Sequence, residues 1–192
     1  MRKIWQMAFV LGILIVLLAL AVGAGQQSKE TQQESKTQLE AFGMQTGAVI
    51  VKGFSTLGAV SEMGKISVDC LESTNVSTKI RLLGIVIEVK ESGSLERTDS
   101  SFIDYDEIDS LLKGIDYISK VTSKNTKLQN FEAIYKTKGD FVVVLFSDSQ
   151  GGTRVAVKSG YIGSVTAFIS TDKLAELRTL IVQAKEKLDS IK

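Results

Sequence analysis

Four carboxylates, Asp104, Asp106, Glu107 and Asp109, fall within six residues of one another in the stretch FIDYDEIDSLL at 102–112. Crowded acids can do three kinds of work. They can hold a hard cation such as Ca2+, with oxygen ligands added from elsewhere in the chain, although this spacing lacks the glycine and closing glutamate of an EF-hand loop. Two of them can divide the acid and base roles of glycoside cleavage, which needs a set gap between carboxyl groups that neighbours on one turn do not define. They can also start a helix. Asp104 suits an N-cap, Glu107 three residues on completes a capping-box pattern, and further acids in the first turn favour the helix dipole.

The elements around these acids bear on that choice. Ile108, Leu111, Leu112, Ile115 and Ile118 recur at helical spacing, so the acids open an amphipathic helix. Four runs rich in Val, Ile, Phe and Thr precede it: GAVIVKGFSTLGAV, GKISVDCLES, STKIRLLGIVIEVKES and ERTDSSFID. Punctuated by Gly, Ser, Asn and Asp, they read as strands. The order then repeats, with LQNFEAIYKTKG, DFVVVLFSDSQ, GGTRVAVKSGYIG and SVTAFIS before the helix TDKLAELRTLIVQAKEKLDSIK. Phe102 falls on Phe168, Ile103 on Ile169, Asp106 on Asp172, Ile108 on Leu174, Leu111 on Leu177 and Ile115 on Ile181, all at an offset of 66 residues. The pattern predicts an α+β domain at 46–192, built as an internal duplication of a ββββα unit (46–122 and 123–192) with antiparallel sheets and two amphipathic helices. RLLGIVIEV and FVVVLF, apolar on both alternating faces, are expected to be central strands covered on both sides.

The duplication is an internal control on the acids. The second copy carries Ser170, Lys173 and Ala175 where the first has Asp104, Glu107 and Asp109. The helix start is common to both copies and the carboxylates are not, so Asp104 and Ser170 are expected as N-caps. A metal site at Asp104, Asp106, Glu107 and Asp109, with Ca2+ as the ion, stays as the alternative.

Two further segments precede the domain. Residues 1–24 place Arg2 and Lys3 before an apolar run from Ile4 to Val22 and then small residues, the layout of a secretory signal with cleavage after Ala24. The run approaches the length that spans a bilayer, so an uncleaved membrane anchor is the other reading. In both cases the remainder is expected outside the cytoplasm, in the cell envelope, the periplasm or the extracellular space. Residues 25–45, rich in Gln, Lys, Glu and Ser, read as a polar tether. Removing the first 24 residues takes away Arg2 and Lys3 and no acid, leaving 21 basic against 22 acidic groups. That near-neutral balance excludes global attraction to polyanions. The absence of histidine removes Ser-His-Asp and Cys-His catalysis and His-ligated zinc. The single cysteine, Cys70, leaves no intramolecular disulfide framework, and its strand position suits burial.

Lys136, Lys138, Arg154 and Lys158 cluster in the second copy with Tyr135 and Tyr161 nearby, the composition of a ligand surface whose charges meet phosphates while rings stack. Strand alternation alone also places such charges on a wet face. In the last helix Leu174, Leu177, Ile181, Ala184, Leu188 and Ile191 form a regular seam, suited to its own sheet or to a homo-oligomer contact. The glycines of SDSQGGTR at 147–154 lie between strands and read as a hairpin turn rather than a phosphate loop. Asn75, Val76 and Ser77 make a glycosylation sequon.

Two ββββα units, with the junctions FIDYDEI and FISTDKL, resemble the Whirly family and PUR-type repeats over residues 47–192. The resemblance implies paired four-stranded sheets, oligomeric assembly and single-stranded nucleic acid binding. The export segment, the near-zero charge and the lack of a dominant basic strand depart from it. The sequence as a whole predicts an exported or membrane-anchored, non-catalytic binding or assembly domain. A nucleic acid or polyanion binder is the second reading, and a metal- or carboxylate-dependent enzyme the third.

Overall fold

The computed structural model describes residues 35–192 except 94, 95 and 149. Residues 1–34, and with them the signal or anchor segment, lie outside the described residues. Among the described residues no helix is long and apolar enough to cross a membrane.

A short helix α1 (Gln38–Gly43) leads into β1 (Ile50–Glu62), β2 (Gly64–Asn75), β3 (Arg81–Lys90) and β4 (Thr98–Asp104), and a single 3-10 turn then enters α2 (Ile108–Ile118). The second copy follows as β5 (Glu132–Lys136), β6 (Val142–Ser147), β7 (Thr153–Ser159), β8 (Val165–Ile169) and α3 (Thr171–Asp189). Both sheets are antiparallel meanders in the orders β1-β2-β3-β4 and β5-β6-β7-β8. The fold is therefore α+β with a repeated ββββα unit.

Alternation along the strands directs Ile66, Val68, Cys70, Ile85, Ile87 and Val89 of the first sheet, and Val143, Leu145, Val155 and Val157 of the second, into one shared core. The helices reach across the repeat boundary. α3 lies over β1 and β2 of the first sheet, with the Ala184 carbonyl 3.5 Å from Cys70 Sγ and Lys187 on the Ser55 hydroxyl. The pairing of β1 with β2 slips between Thr56 and Gly58, and a Cβ at 58 would stand 3.0 Å from Leu180, so the glycine lets α3 approach. α2 packs on β5 and β6, where the Tyr135 ring fills the space that a side chain at Gly114 would take. Arg178 donates to both carboxylate oxygens of Asp116, at 2.6 and 2.9 Å, and ties the helices together. Of the seam residues, Leu174, Leu177, Ile181, Ala184 and Leu188 are buried within the chain, while Ile191, beyond the end of α3, is exposed.

The sheets also meet directly. The hydroxyls of Ser101 and Ser159 pair at 2.8 Å in the core, and Met63 and Phe168 exchange backbone hydrogen bonds of 3.1 and 2.9 Å. Gly64, with φ +112°, sits at this corner, where a Cβ would come within 2.7 Å of the Lys90 carbonyl and of Ala167.

The expected start of the domain at 46 moves to Ser35. Thr37 and Glu40 form a capping box, and Leu39 and Phe42, one turn apart, bury themselves on the outer face of the first sheet. Leu39 joins Leu71 and Val86, with Leu82 and Phe102 at the margin, in a second small cluster. Polar neighbours hide this apolar pair when the segment is read by composition.

Candidate functional site: an open sheet face and a basic corner

The acids of 104–109 do not converge. The Asp104 carboxylate turns away from its own helix and accepts from the amides of Gln38 and Leu39, at 2.8 and 3.0 Å, so it holds the start of α1. It makes no side-chain cap on the turn that follows it, which corrects the N-cap expectation for Asp104. The reason is geometric: two amides of another helix lie within reach of a buried carboxylate, and a buried charge needs such donors. Glu107 points elsewhere and accepts from the Lys138 amide at 2.9 Å, so the capping-box pattern is not formed either. Asp106 and Asp109 face solvent. The expected metal site is thereby taken apart. Among the described residues no three acidic or cysteine side chains are placed to hold an ion. In the second copy the Ser170 hydroxyl accepts from the Lys173 amide at 3.4 Å.

The six candidate ligand residues separate into three places. Tyr135 faces the core beneath α2, where burial pushes its phenol pKa up and the charge of Glu107 adds to the effect. Arg154 projects near the opposite end of the outer face, 3.7 Å from Met63 Sδ. Lys136 and Lys158 lie in one row across the sheet with Val142 between them, Tyr161 is close to Lys136, and Lys138 is exposed on the adjoining hairpin. Lys36, at the entry to α1, completes this corner: its ammonium lies 4.0 Å from the centroid of the Tyr161 ring, and that of Lys136 lies 5.5 Å away. Nothing in the local sequence connects residue 36 to this site, because the contact depends on where α1 docks.

Asp140 organises the lysines. It pairs with Lys36 and, at 2.7 Å, with Lys136. Burial opposes its charge, but the two ammonium groups outweigh burial and hold its carboxyl below the usual carboxylate range. A lowered pKa contributes stability that is complete above the unfolded value of about 3.9 and is lost as pH falls through the folded value. Asp140→Asn, which tolerates the φ of +60° found here, is expected to cost about 1 kcal/mol at neutral pH after allowance for solvent around the lysines. It should also flatten the acid limb of stability measured by urea melts at successive pH values. An unchanged acid limb would show that the pairs carry no folding energy.

The outer faces of the two sheets have diverged. In the first sheet Val86 pairs with Phe102, and one step along Gly84 stands between Leu71 and Asp104. A Cβ at 84 would collide with the Ile103 carbonyl of β4 and stand 2.5 Å from Leu39, so the glycine admits both the neighbouring strand and α1, and Asp104 anchors α1. In the second sheet Ala156 pairs with Phe168, and one step along, opposite Phe146, the place of Gly84 is taken by Arg154. Ser170, standing where Asp104 does, is turned to its own helix. Both features that dock α1 are therefore missing from the second copy. Its outer face carries the row Ile134, Val144, Ala156 and Phe168, with Phe146 edge-on to Phe168 at 6.3 Å. Ile134 is 62% and Phe168 38% exposed at the two ends of the row, Val144 and Ala156 between them are buried, and Lys136, Lys158 and Arg154 stand around it.

The remaining motifs are structural. Cys70 is buried in the core, and its thiol pKa is raised by that burial against an opposing pull from Lys187. Asn75 is buried, with its carboxamide committed to Gln45, Ser77 and Thr78, so its sequon is closed to modification in the folded chain. Asp148 ties the 147–154 turn by accepting from the amides of Gln150 and Gly152. No protein-family model matches the chain, and no curated protein matches it significantly.

Proposed function

We propose that the chain is an exported, membrane-anchored domain that works by binding, through the outer face of its second sheet, a protein surface that is apolar at its centre and acidic around it. One observation carries this reading: of two duplicated sheets, one has the outer face of β2, β3 and β4 covered by a built-in helix, while the other lacks the room and the anchor for such a helix and shows Ile134 and Phe168 to solvent. The face carries Lys136, Lys158 and Arg154 against Glu132, with Lys36 and Lys138 beside them and Asp140, Glu62 and Asp148 at its rim, a small basic excess in a domain of near-zero balance. Complementarity therefore favours an acidic partner and disfavours a symmetric contact of this face with itself. The apolar run of the first 24 residues supports the anchored placement.

Single-stranded nucleic acid is the second reading, favoured by the meeting of Lys136, Lys158 and Tyr161 at one corner and by the resemblance of element order to Whirly proteins. Light scattering on the fragment from Gly25 onward, at low salt with and without short single-stranded DNA, separates the two. An acidic protein partner predicts no change of mass with DNA. A DNA-dependent mass that falls steeply with added salt would replace it with the second reading.

A further inference from the structure

We infer that the turn between β7 and β8 rests on an anionic bilayer surface, with Tyr161 and Ile162 entering the interface and Lys36 beside them facing lipid phosphates. The inference deepens the anchored reading above and rests on it. Tyr161 is 70% and Ile162 89% exposed, adjacent in sequence and flanked by Gly160 and Gly163. Both glycines have positive φ, +92° and +68°, so the turn is tight and carries the two large side chains outward. It is also braced: Asp99 fills the space beside Gly160, and Arg97, already paired with Glu91, donates to the Gly163 carbonyl at 3.3 Å. Neither side chain joins a core cluster, and the contacts of the Tyr161 ring are with Lys36 and Lys136. An amphipathic ring beside an aliphatic side chain suits the headgroup region, where the ring takes the polar boundary and the aliphatic group the acyl edge.

Two observations direct this turn toward lipid rather than protein. The first is charge: the Lys36 and Lys136 ammonium groups, both paired with Asp140, flank the Tyr161 ring, with Lys158 in the same row, Lys138 on the adjoining hairpin and Asp99 beside Gly160. Basic groups near an anionic leaflet each add modest attraction, and several beside an apolar insertion act together. The second is the position of the chain: the described domain begins at Ser35, and the next residue, Lys36, stacks on Tyr161 itself. In the sequence, 12 residues, 23–34, separate the apolar run from Ser35.

The test uses the full chain carrying Ile162→Trp in a Trp5→Phe background, so that the only indole stands on the turn. The protein is reconstituted into phosphatidylcholine vesicles with and without phosphatidylglycerol, each with and without acyl-brominated lipid. Expected results are flotation with the vesicles, a blue-shifted indole emission, and a loss of that emission to brominated lipid that is larger when phosphatidylglycerol is present. A chain that floats while its indole emits as in water and is not quenched overturns this inference and leaves the anchored reading standing. A chain that does not float overturns both.

Discussion

Fragments 35–122 and 123–192, each made alone, are expected to be unfolded as monomers, although each contains a complete ββββα repeat. The cause is the exchange of helices. Without α3 the first sheet loses the cover given by Leu177, Ile181, Ala184 and Leu188, and its Val60, Ile66, Val68 and Cys70 face water. A buried aliphatic side chain contributes about 1.5–3 kcal/mol, so the three larger α3 residues alone account for about 4–9 kcal/mol. That is comparable with the whole stability of a domain, about 5–15 kcal/mol. Removal of α2 strips β5 and β6 in the same way, exposing Tyr135 and Val143. Circular dichroism and urea melts of each fragment, and then of the mixture, give the reading. Recovery of structure only on mixing supports the exchange, and a cooperative melt from either fragment as a monomer contradicts it.

The second large effect belongs to Asp104. Truncation to Ala removes both charged acceptor oxygens from the part-buried amide of Gln38 and the buried amide of Leu39, an expected loss of about 3 kcal/mol. It also frees α1, so Leu71, Val86 and Phe102 lose their cover. Ser170→Ala at the equivalent position removes one ordinary helix cap and should cost about 1 kcal/mol. Hydrogen exchange localises the difference: Asp104→Ala should release the amides of 38–43 while β2 and β3 stay protected. Equal costs at the two positions would show that Asp104 acts as a simple cap after all.

The period-2 and period-3.6 patterns of the strands and helices are legible in the sequence because they are local, and the repeat doubles their signal. The 66-residue offset correctly aligns Phe102 with Phe168 and Ile103 with Ile169, which hold matching places in the two sheets. The exchange of helices is not local, so no window contains it. The role of Asp104 escapes for a related reason. An acid before an apolar helix has the form of an N-cap, and the donors that claim it lie some 65 residues earlier in a segment dominated by polar residues. One sequence signal does mark α1: Thr37 with Glu40 is a capping box, and Leu39 with Phe42 is an apolar pair on one side of a turn. The candidate binding residues are legible as a group but not as a site, since only their register shows that Tyr135 turns inward and that Arg154 stands far from Lys136.

The central claim is that the second sheet presents a face built for an acidic partner. Its most direct test is photocrosslinking in the membranes of cells that produce the protein, with a photoreactive residue placed in turn at Ile134, at Phe168, and at Phe54 on the exposed part of the first sheet. The expected result is a discrete adduct from 134 and 168, none from 54, and loss of the adduct when Arg154→Glu and Lys158→Glu are combined. Adducts that are absent from 134 and 168, or that form equally at all three positions and survive the charge reversal, would contradict it.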